Sequence, residues 1–270
     1  MLTEEGKELL PQLNSSMHEL NKISELEAKL KEVLQIDEVI ITSGGGETDM
    51  ERKELGFQAA KVLQGVLHPG SVLAVSGGST MANMADALPA KKCQATIIPA
   101  RGGIGERVEY QANVIASVIA EKIGSTYKML HLPDGLSQDA LSILMNMEPQ
   151  IKEVMELAKQ TDILIFGIGE ALHMAAQRHI TDAQRSTLRA KRAVGEALGY
   201  YCDISGNIVY TTNNVGIALT DIESIPHVIA VAGGAGKAKA IIGVMRACRK
   251  GTLIIDESAA ESIAALLSIS

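Results

Sequence analysis

The chain has 270 residues and a formal net charge of −7, and 46% of its residues are hydrophobic while only 3% are aromatic. That length suits one large α/β domain or two small ones, and the acidic balance argues against nucleic-acid binding through a broad basic face on this piece. Three widely spaced cysteines (Cys93, Cys202 and Cys248) and six histidines form neither a Cys-x-x-Cys pair nor a metal-ligand spacing; this points to a reduced, cytoplasmic setting and calls for no metal or cofactor.

No stretch has the character of a signal peptide or the length of a bilayer span. With no Trp and so few aromatics, the core must come from Ile, Val, Leu, Ala and Met, which suits a parallel sheet buried on both faces.

The first predicted element is a long helix. Leu9, Leu13, Met17, Leu20, Ile23, Leu26, Leu30 and Leu34 recur at spacings of three and four and form one apolar stripe. Such a stripe packs either on its own domain or, as a linker helix, on a second chain. Strands are then expected over Asp37–Thr42, Val72–Val75, Gln94–Ile98, Tyr127–Leu132 and Asp162–Phe166. Helices are expected over Thr48–Leu67, Met81–Leu88, Glu106–Lys122, Ser137–Met147 and Pro149–Lys159, with a turn at Pro133-Asp134-Gly135.

After Gly169 the pattern changes. Helices over Ala171–Arg178 and Thr181–Arg192 lead to a hairpin, Glu196–Asp203 with Ile208–Tyr210, around a Ser205-Gly206 turn. Strands Val228–Val231 and Thr252–Ile255, with helices Ala235–Ala247 and Glu257–Leu267, resume the alternation. This is the pattern of a doubly wound, mostly parallel, Rossmann-like α/β sheet with a small antiparallel insertion. Residues 36–270 read as one domain and residues 1–35 as a linker helix.

The chemistry gathers at strand ends. Val72–Val75 runs into Ser76-Gly77-Gly78-Ser79-Thr80 at a helix start, and Val228–Val231 runs into Ala232-Gly233-Gly234-Ala235-Gly236-Lys237. Glycines let the backbone approach an anion, and free N–H groups at a helix start point at it. The plainer reading of the first stretch is a tight turn with a Ser cap. Arg101-Gly102-Gly103 follows a third strand and Gly167-Ile168-Gly169 a fourth.

Two such cradles with Arg101 and Lys237 suit a small ligand carrying one or two phosphates at the carboxyl edge of the sheet. Arg178 reads as a surface residue or an anion clamp. Glu196 reads as a surface residue, as a group orienting Arg178, or as an acceptor for sugar hydroxyls. His173 reads as structural or as a general base. Walker, Gly-x-Gly-x-x-Gly and Gly-x-Ser-x-Gly patterns are absent from the relevant strand ends.

Val75–Thr80, Pro99–Gly103, Gln111–Asn113, Leu136–Gln138, Gly167–Glu170, Glu196–Tyr201 and Val231–Lys237, in that order, resemble the effector-binding domain of the SorC-type (sorbitol-operon) family of bacterial transcription regulators. The resemblance covers residues 36–270. It implies a fold related to sugar-phosphate isomerases and glucosamine-phosphate deaminases, without catalysis, and a DNA-binding domain before the linker helix.

It further implies a sugar phosphate effector, fructose 1,6-bisphosphate for a repressor of glycolytic genes, that alters a homodimer or homotetramer and its hold on operator DNA. By position, Ser79, Thr80, Arg101 and Gly103 would serve one phosphate, with Gly78 and Gly102 among the other ligand-binding residues. Arg178, Gly234, Ala235 and Lys237 would serve the other, and Gln111 and Glu196 the sugar hydroxyls or those groups. The alternative is an isomerase or deaminase. Where the deaminases are expected to carry Asp-Gly-His, this chain has Glu170-Ala171-Leu172-His173.

Overall fold

The computed structural model describes residues 20–44, 49–102, 107–132, 136–178, 180–212 and 215–269. The stripe from Leu9 to Met17, the Pro133-Asp134-Gly135 turn and Gly103 lie outside the described residues. Residues 20–34 are helical (α1). In chain order there follow β1 (Glu38–Thr42), α2 (Asp49–Val66), β2 (Val72–Val75), α3 (Ser79–Ala87), β3 (Thr96–Pro99), α4 (Ala112–Ile123), β4 (Thr126–Tyr127), α5 (Gln138–Met147), α6 (Pro149–Lys159) and β5 (Ile163–Gly167). Next come β6 (Gly169–Glu170), α7 (Ala171–Gln177), α8 (Asp182–Ala190), β7 (Gly195–Ala197), β8 (Tyr200–Cys202), β9 (Ile208–Thr211), β10 (His227–Val231), α9 (Ala238–Cys248), β11 (Thr252–Asp256) and α10 (Glu257–Leu267).

Seven strands form one sheet in the order β1-β11-β10-β5-β2-β3-β4, and every pairing within it is parallel. Their side chains divide with the period of two expected of a pleated strand. Leu73, Val75, Ile97, Ile163, Ile165, Ile229 and Val231 face α2, α3 and α4, packing on Leu55, Leu63, Met81, Met84, Ile115 and Ile119. Ala74, Ile98, Leu164, Phe166, Val228, Ala230 and Ile255 face the other way, onto α1, α6, α9 and α10, through Leu30, Leu34, Val154, Ile241 and Ile263. Both faces are covered, which is why these strands read as continuous apolar runs.

The described half of the N-terminal stripe packs on its own domain. Leu30 and Leu34 are fully buried in the core while Leu20 is 62% exposed. Glu27 Oε1 also accepts the Ile41 N–H at 2.8 Å, so α1 satisfies a donor on the free edge of β1.

Four differences from the sequence expectation have physical causes. The strand expected over Tyr127–Leu132 is only the two residues of β4, because both the N–H and the C=O of Leu130 are taken by the Asn113 side chain, at 2.9 and 3.1 Å. Within the helix expected from Glu106, a 3₁₀ turn, Val108–Tyr110, precedes α4, and Gln111 stands between them as the α4 N-cap residue. The strand expected over Glu196–Asp203 is folded on itself, since Leu198 and Gly199 both take positive φ (52° and 87°) and make the tight turn between β7 and β8. The insertion is therefore a four-stranded antiparallel sheet, β6-β7-β8-β9. Finally, Ala235–Lys237 is a 3₁₀ turn ahead of α9.

The order of the large sheet sets the place for a ligand. From β2 the chain steps outward to β3 and β4, then returns to β5 on the other side of β2 and continues through β10 to β11. The connections leave in opposite directions between β2 and β5, and the crevice at the carboxyl ends of those strands is where open α/β sheets bind ligands. Ser76 holds that point together. Its N–H donates to Ile165 O at 3.0 Å, and its hydroxyl oxygen accepts the Gly167 N–H at 3.1 Å.

Candidate functional site

The first Gly-Gly turn leaves β2 at this crevice. Gly78 is the N-cap residue of α3 with φ 117°, a conformation that favours glycine, and no side chain caps the helix. The Ser79 and Thr80 hydroxyls therefore do not cap α3; they stand at the first two helical positions, Ser79 exposed and Thr80 half-buried. The turn is braced from the side by the 3₁₀ segment, whose Tyr110 carbonyl accepts the Gly78 N–H at 2.9 Å. A Cβ on Gly77 would lie 2.6 Å from that carbonyl oxygen. Gln111 follows immediately, so the structure brings it against the first turn.

Arg101 follows β3. Its main chain bridges Gly216, and the Gly102 N–H donates to Val215 O at 2.7 Å. This holds the segment after β9 against the end of the large sheet. Glu196, on the middle of β7, is 3% exposed at its side chain, and its Oε1 is 3.0 Å from Arg178 Nη2 and 3.8 Å from Arg101 Nη1. The same oxygen accepts the Gly199 N–H at 2.6 Å. Of the readings open in the sequence, the structure thus favours Glu196 as the partner of Arg178, and it adds Arg101 to the pair.

Arg178 is the C-cap residue of α7, and its Nη1 is buried without a hydrogen-bond partner among the described residues. Arg178 thus keeps an unfilled donor beside the carboxylate it shares with Arg101, a feature suited to an anion.

The second Gly-Gly turn leaves β10, on the far side of β5 from β2. Gly234 takes φ 96° and its N–H donates to Asp256 Oδ2 at 2.6 Å. Asp256 is 1% exposed; its other oxygen accepts the Ala259 N–H at 2.8 Å and so caps α10. A Cβ on Gly233 would lie 2.3 Å from Asp256 Oδ2, so the close approach requires glycine.

Beside Ala235 and Gly236, both exposed, Lys237 is half-buried at the start of α9. Burial lowers its ammonium pKa below the ordinary lysine value; Asp256 opposes that shift and Arg52 adds to it. The second turn is tied to the Glu196 strand as well, because a Cβ on Gly195 would lie 2.6 Å from Ala240 O on α9.

Sequence reasoning missed Asp256. The available signal was an Asp closing an apolar strand with Ser258 and Ala259 behind it, an N-cap pattern that gives no hint of its second bond to Gly234. His173, the one candidate base, is exposed on α7 with its Nε2 3.1 Å from Gln177 Nε2.

Residues 18–265 match the family described as "Putative sugar-binding domain", and the chain belongs to that family. It is 38% identical over 265 residues to the central glycolytic genes regulator of Bacillus subtilis (strain 168), covering 97% of this chain and 78% of the relative. The protein of the same name from Priestia megaterium is 38% identical over 266 residues, with the same coverage. A solved structure from Enterococcus faecalis, described as a "putative SorC family transcriptional regulator", matches with a TM-score of 0.81 at 37% identity, over 88% of this chain and 99% of that one. The full-length sorbitol operon regulator SorC from Klebsiella pneumoniae shares the fold, with a TM-score of 0.79 at 19% identity over 91% of this chain and 82% of that one. No described helix is long and apolar enough to cross a membrane.

Proposed function

We propose that this chain is the effector-binding part of a bacterial transcription repressor of glycolytic genes, and that its effector is a sugar bisphosphate, fructose 1,6-bisphosphate. The observation that carries the reading is the buried Glu196 with Arg178 and Arg101 gathered on it. One phosphate sits on Gly78, Ser79, Thr80, Arg101, Gly102 and Gly103, with Gln111 beside them. The other sits on Gly234, Ala235, Lys237 and Arg178. Glu196 orients both guanidiniums and accepts from the sugar hydroxyls.

Binding alters a homodimer or homotetramer and thereby its grip on operator DNA, which a preceding domain contacts. The protein works in the cytoplasm as a sensor and not as an enzyme. Its relatives are named regulators, and the candidate base His173 is exposed, with its ring 3.1 Å from the Gln177 amide. Any such switch requires the effector to bind two assembly states unequally.

The test is a calorimetric and thermal-shift titration with fructose 1,6-bisphosphate, fructose 6-phosphate, glucose 6-phosphate, dihydroxyacetone phosphate and inorganic phosphate. Saturable binding led by the bisphosphate, without turnover, is expected. At 100 times its dissociation constant a ligand stabilises the fold by about 2.7 kcal/mol. Turnover of any of the compounds, or binding of none, overturns the reading.

A further inference from the structure

The edge of the sheet opposite the crevice carries a cavity of its own. Helix α1 gives way to Gln35, which takes φ 57°, and β1 starts at Glu38. Helix α9 gives way to Arg249 at its C-cap position, and β11 starts at Thr252. Glu38 pairs with Thr252 in parallel register, so the ends of both helices lie at the amino edge of the sheet.

The turn between β8 and β9 closes a third side. A Cβ on Gly243 of α9 would lie 2.6 Å from Asp203 O, and a Cβ on Gly206 would lie 2.7 Å from Arg246 Cβ, so the turn rests directly on the helix. Asp203 Oδ1 accepts the N–H groups of Ser205 and Asn207, each at 2.9 Å, which fixes the shape of the turn. Between these elements is a cavity of about 260 Å³ lined by Val33, Leu34, Gln35, Ser205, Arg246 and Arg249.

No lining residue is acidic. Arg246 Nη1 donates to Ile204 O at 3.0 Å, and Arg249 Nε donates to Arg246 O at 3.3 Å. A guanidinium has five N–H donors, so each spends one on a backbone carbonyl, and neither forms an ion pair among the described residues. Cations are favoured at a helix C-terminus, which accounts for arginines in the last turn of α9. It does not account for two guanidiniums bordering one cavity without a counter-ion. The carbonyls there that would oppose an anion are already occupied: Lys31 O, Glu32 O and Met245 O accept the N–H groups of Ile36, Gln35 and Arg249.

We propose that this cavity is a second anion site, remote from the crevice, for a small molecule that carries a doubly charged oxyanion head, as a phosphate or a pair of carboxylates. Arg246 and Arg249 match the two charges, and guanidinium forks suit the oxygens of either group. Ser205 and Gln35 supply a hydroxyl and an amide for the remaining oxygens, and Val33 and Leu34 supply an apolar wall. An occupant of the cavity ties together α1, the β8–β9 turn and α9. Helix α9 also begins beside Lys237, so one helix borders both sites. The proposal stands whether or not the crevice holds a sugar phosphate.

The experiment is an amide ¹H–¹⁵N NMR titration of the whole chain with inorganic phosphate and, separately, succinate, at constant ionic strength in sodium chloride. Resonances of Gln35, Ser205 and Gly206 report the cavity, and those of Gly78 and Gly234 report the crevice. Arg249→Ala, Arg249→Lys and Arg246→Gln/Arg249→Ala are titrated beside the parent, with ligand-free thermal unfolding as the folding control. Saturable shifts of the cavity resonances are expected with at least one of the two anions. Arg249→Ala should weaken that binding roughly tenfold, the scale of one charge-assisted hydrogen bond, and Arg249→Lys should recover part of the loss. The double variant should show no saturation, while its crevice resonances and unfolding midpoint follow the parent.

Saturation by phosphate alone assigns a phosphorylated ligand and saturation by succinate alone a dicarboxylate; either upholds the site. Absence of saturable shifts at the three cavity resonances with both anions, or parent-like affinity in the double variant, overturns it.

Discussion

The two glycine turns look alike as sequence and differ as structures. The first is neutral and lightly held. Gly78 donates to a backbone carbonyl, α3 starts with no side-chain cap, and two hydroxyls occupy its first positions. The proposed cation for it comes from another strand, as Arg101, which pairs with Glu196. The second turn carries its own cation and is anchored to a buried carboxylate. Gly234 donates to Asp256, and Lys237 closes the turn. In the proposed site, one turn would offer backbone donors and hydroxyls, and the other a partly buried ammonium whose charge an anion would offset. A ligand with two phosphates can be gripped differently at its two ends, which gives it an orientation.

Four substitutions break or sharpen this contrast, the largest effect first. Glu196→Ala removes the carboxylate that pairs with both guanidiniums and accepts the Gly199 N–H. Breaking a buried ion pair costs about 3–5 kcal/mol, and the partial exposure of Arg178 places the expected loss near the lower figure. Urea unfolding measures it; a change under about 1 kcal/mol would mean that the guanidiniums are already satisfied by solvent.

Asp256→Ala deletes the α10 cap and the Gly234 anchor together. A cap alone is worth about 0.5–2 kcal/mol. The change should therefore destabilise by about 2 kcal/mol and weaken bisphosphate binding through the second turn only. Equal weakening of a ligand confined to the first turn would contradict the independence of the two. Ser79→Ala and Thr80→Ala should leave stability within about 0.5 kcal/mol, because neither hydroxyl caps α3, yet each should lower affinity several-fold. A full cap's worth of lost stability would restore the plain-turn reading.

The large sheet was legible because strands buried on both faces appear as unbroken apolar runs. Val72–Val75 was bounded without error, and Pro149 marked the start of α6 as its fixed φ would suggest. What escaped was whatever a distant partner decides. Tyr127–Leu132 has the composition of a strand, but an asparagine from α4 takes the Leu130 backbone. Glu196–Asp203 alternates like one strand, but Leu198 accepts a positive φ that only Gly199 announced.

In the site, the motifs at the ends of β2, β3 and β10 were readable one at a time. The meeting of Arg101, Arg178 and Glu196 was not fully readable, since three separate segments must fold before one carboxylate oxygen faces two guanidiniums. Asp256 was missed for the same reason. Its local role as a cap hid the bond it makes across strands to Gly234.

The claim that both turns hold a single ligand is tested most directly by phosphorus NMR of fructose 1,6-bisphosphate titrated with the chain, with Lys237→Ala as the control. The account predicts one ligand per chain with both phosphorus resonances shifted on binding, and a reduced shift at one of them in Lys237→Ala. Perturbation of one resonance alone, or two ligands bound per chain, would contradict it.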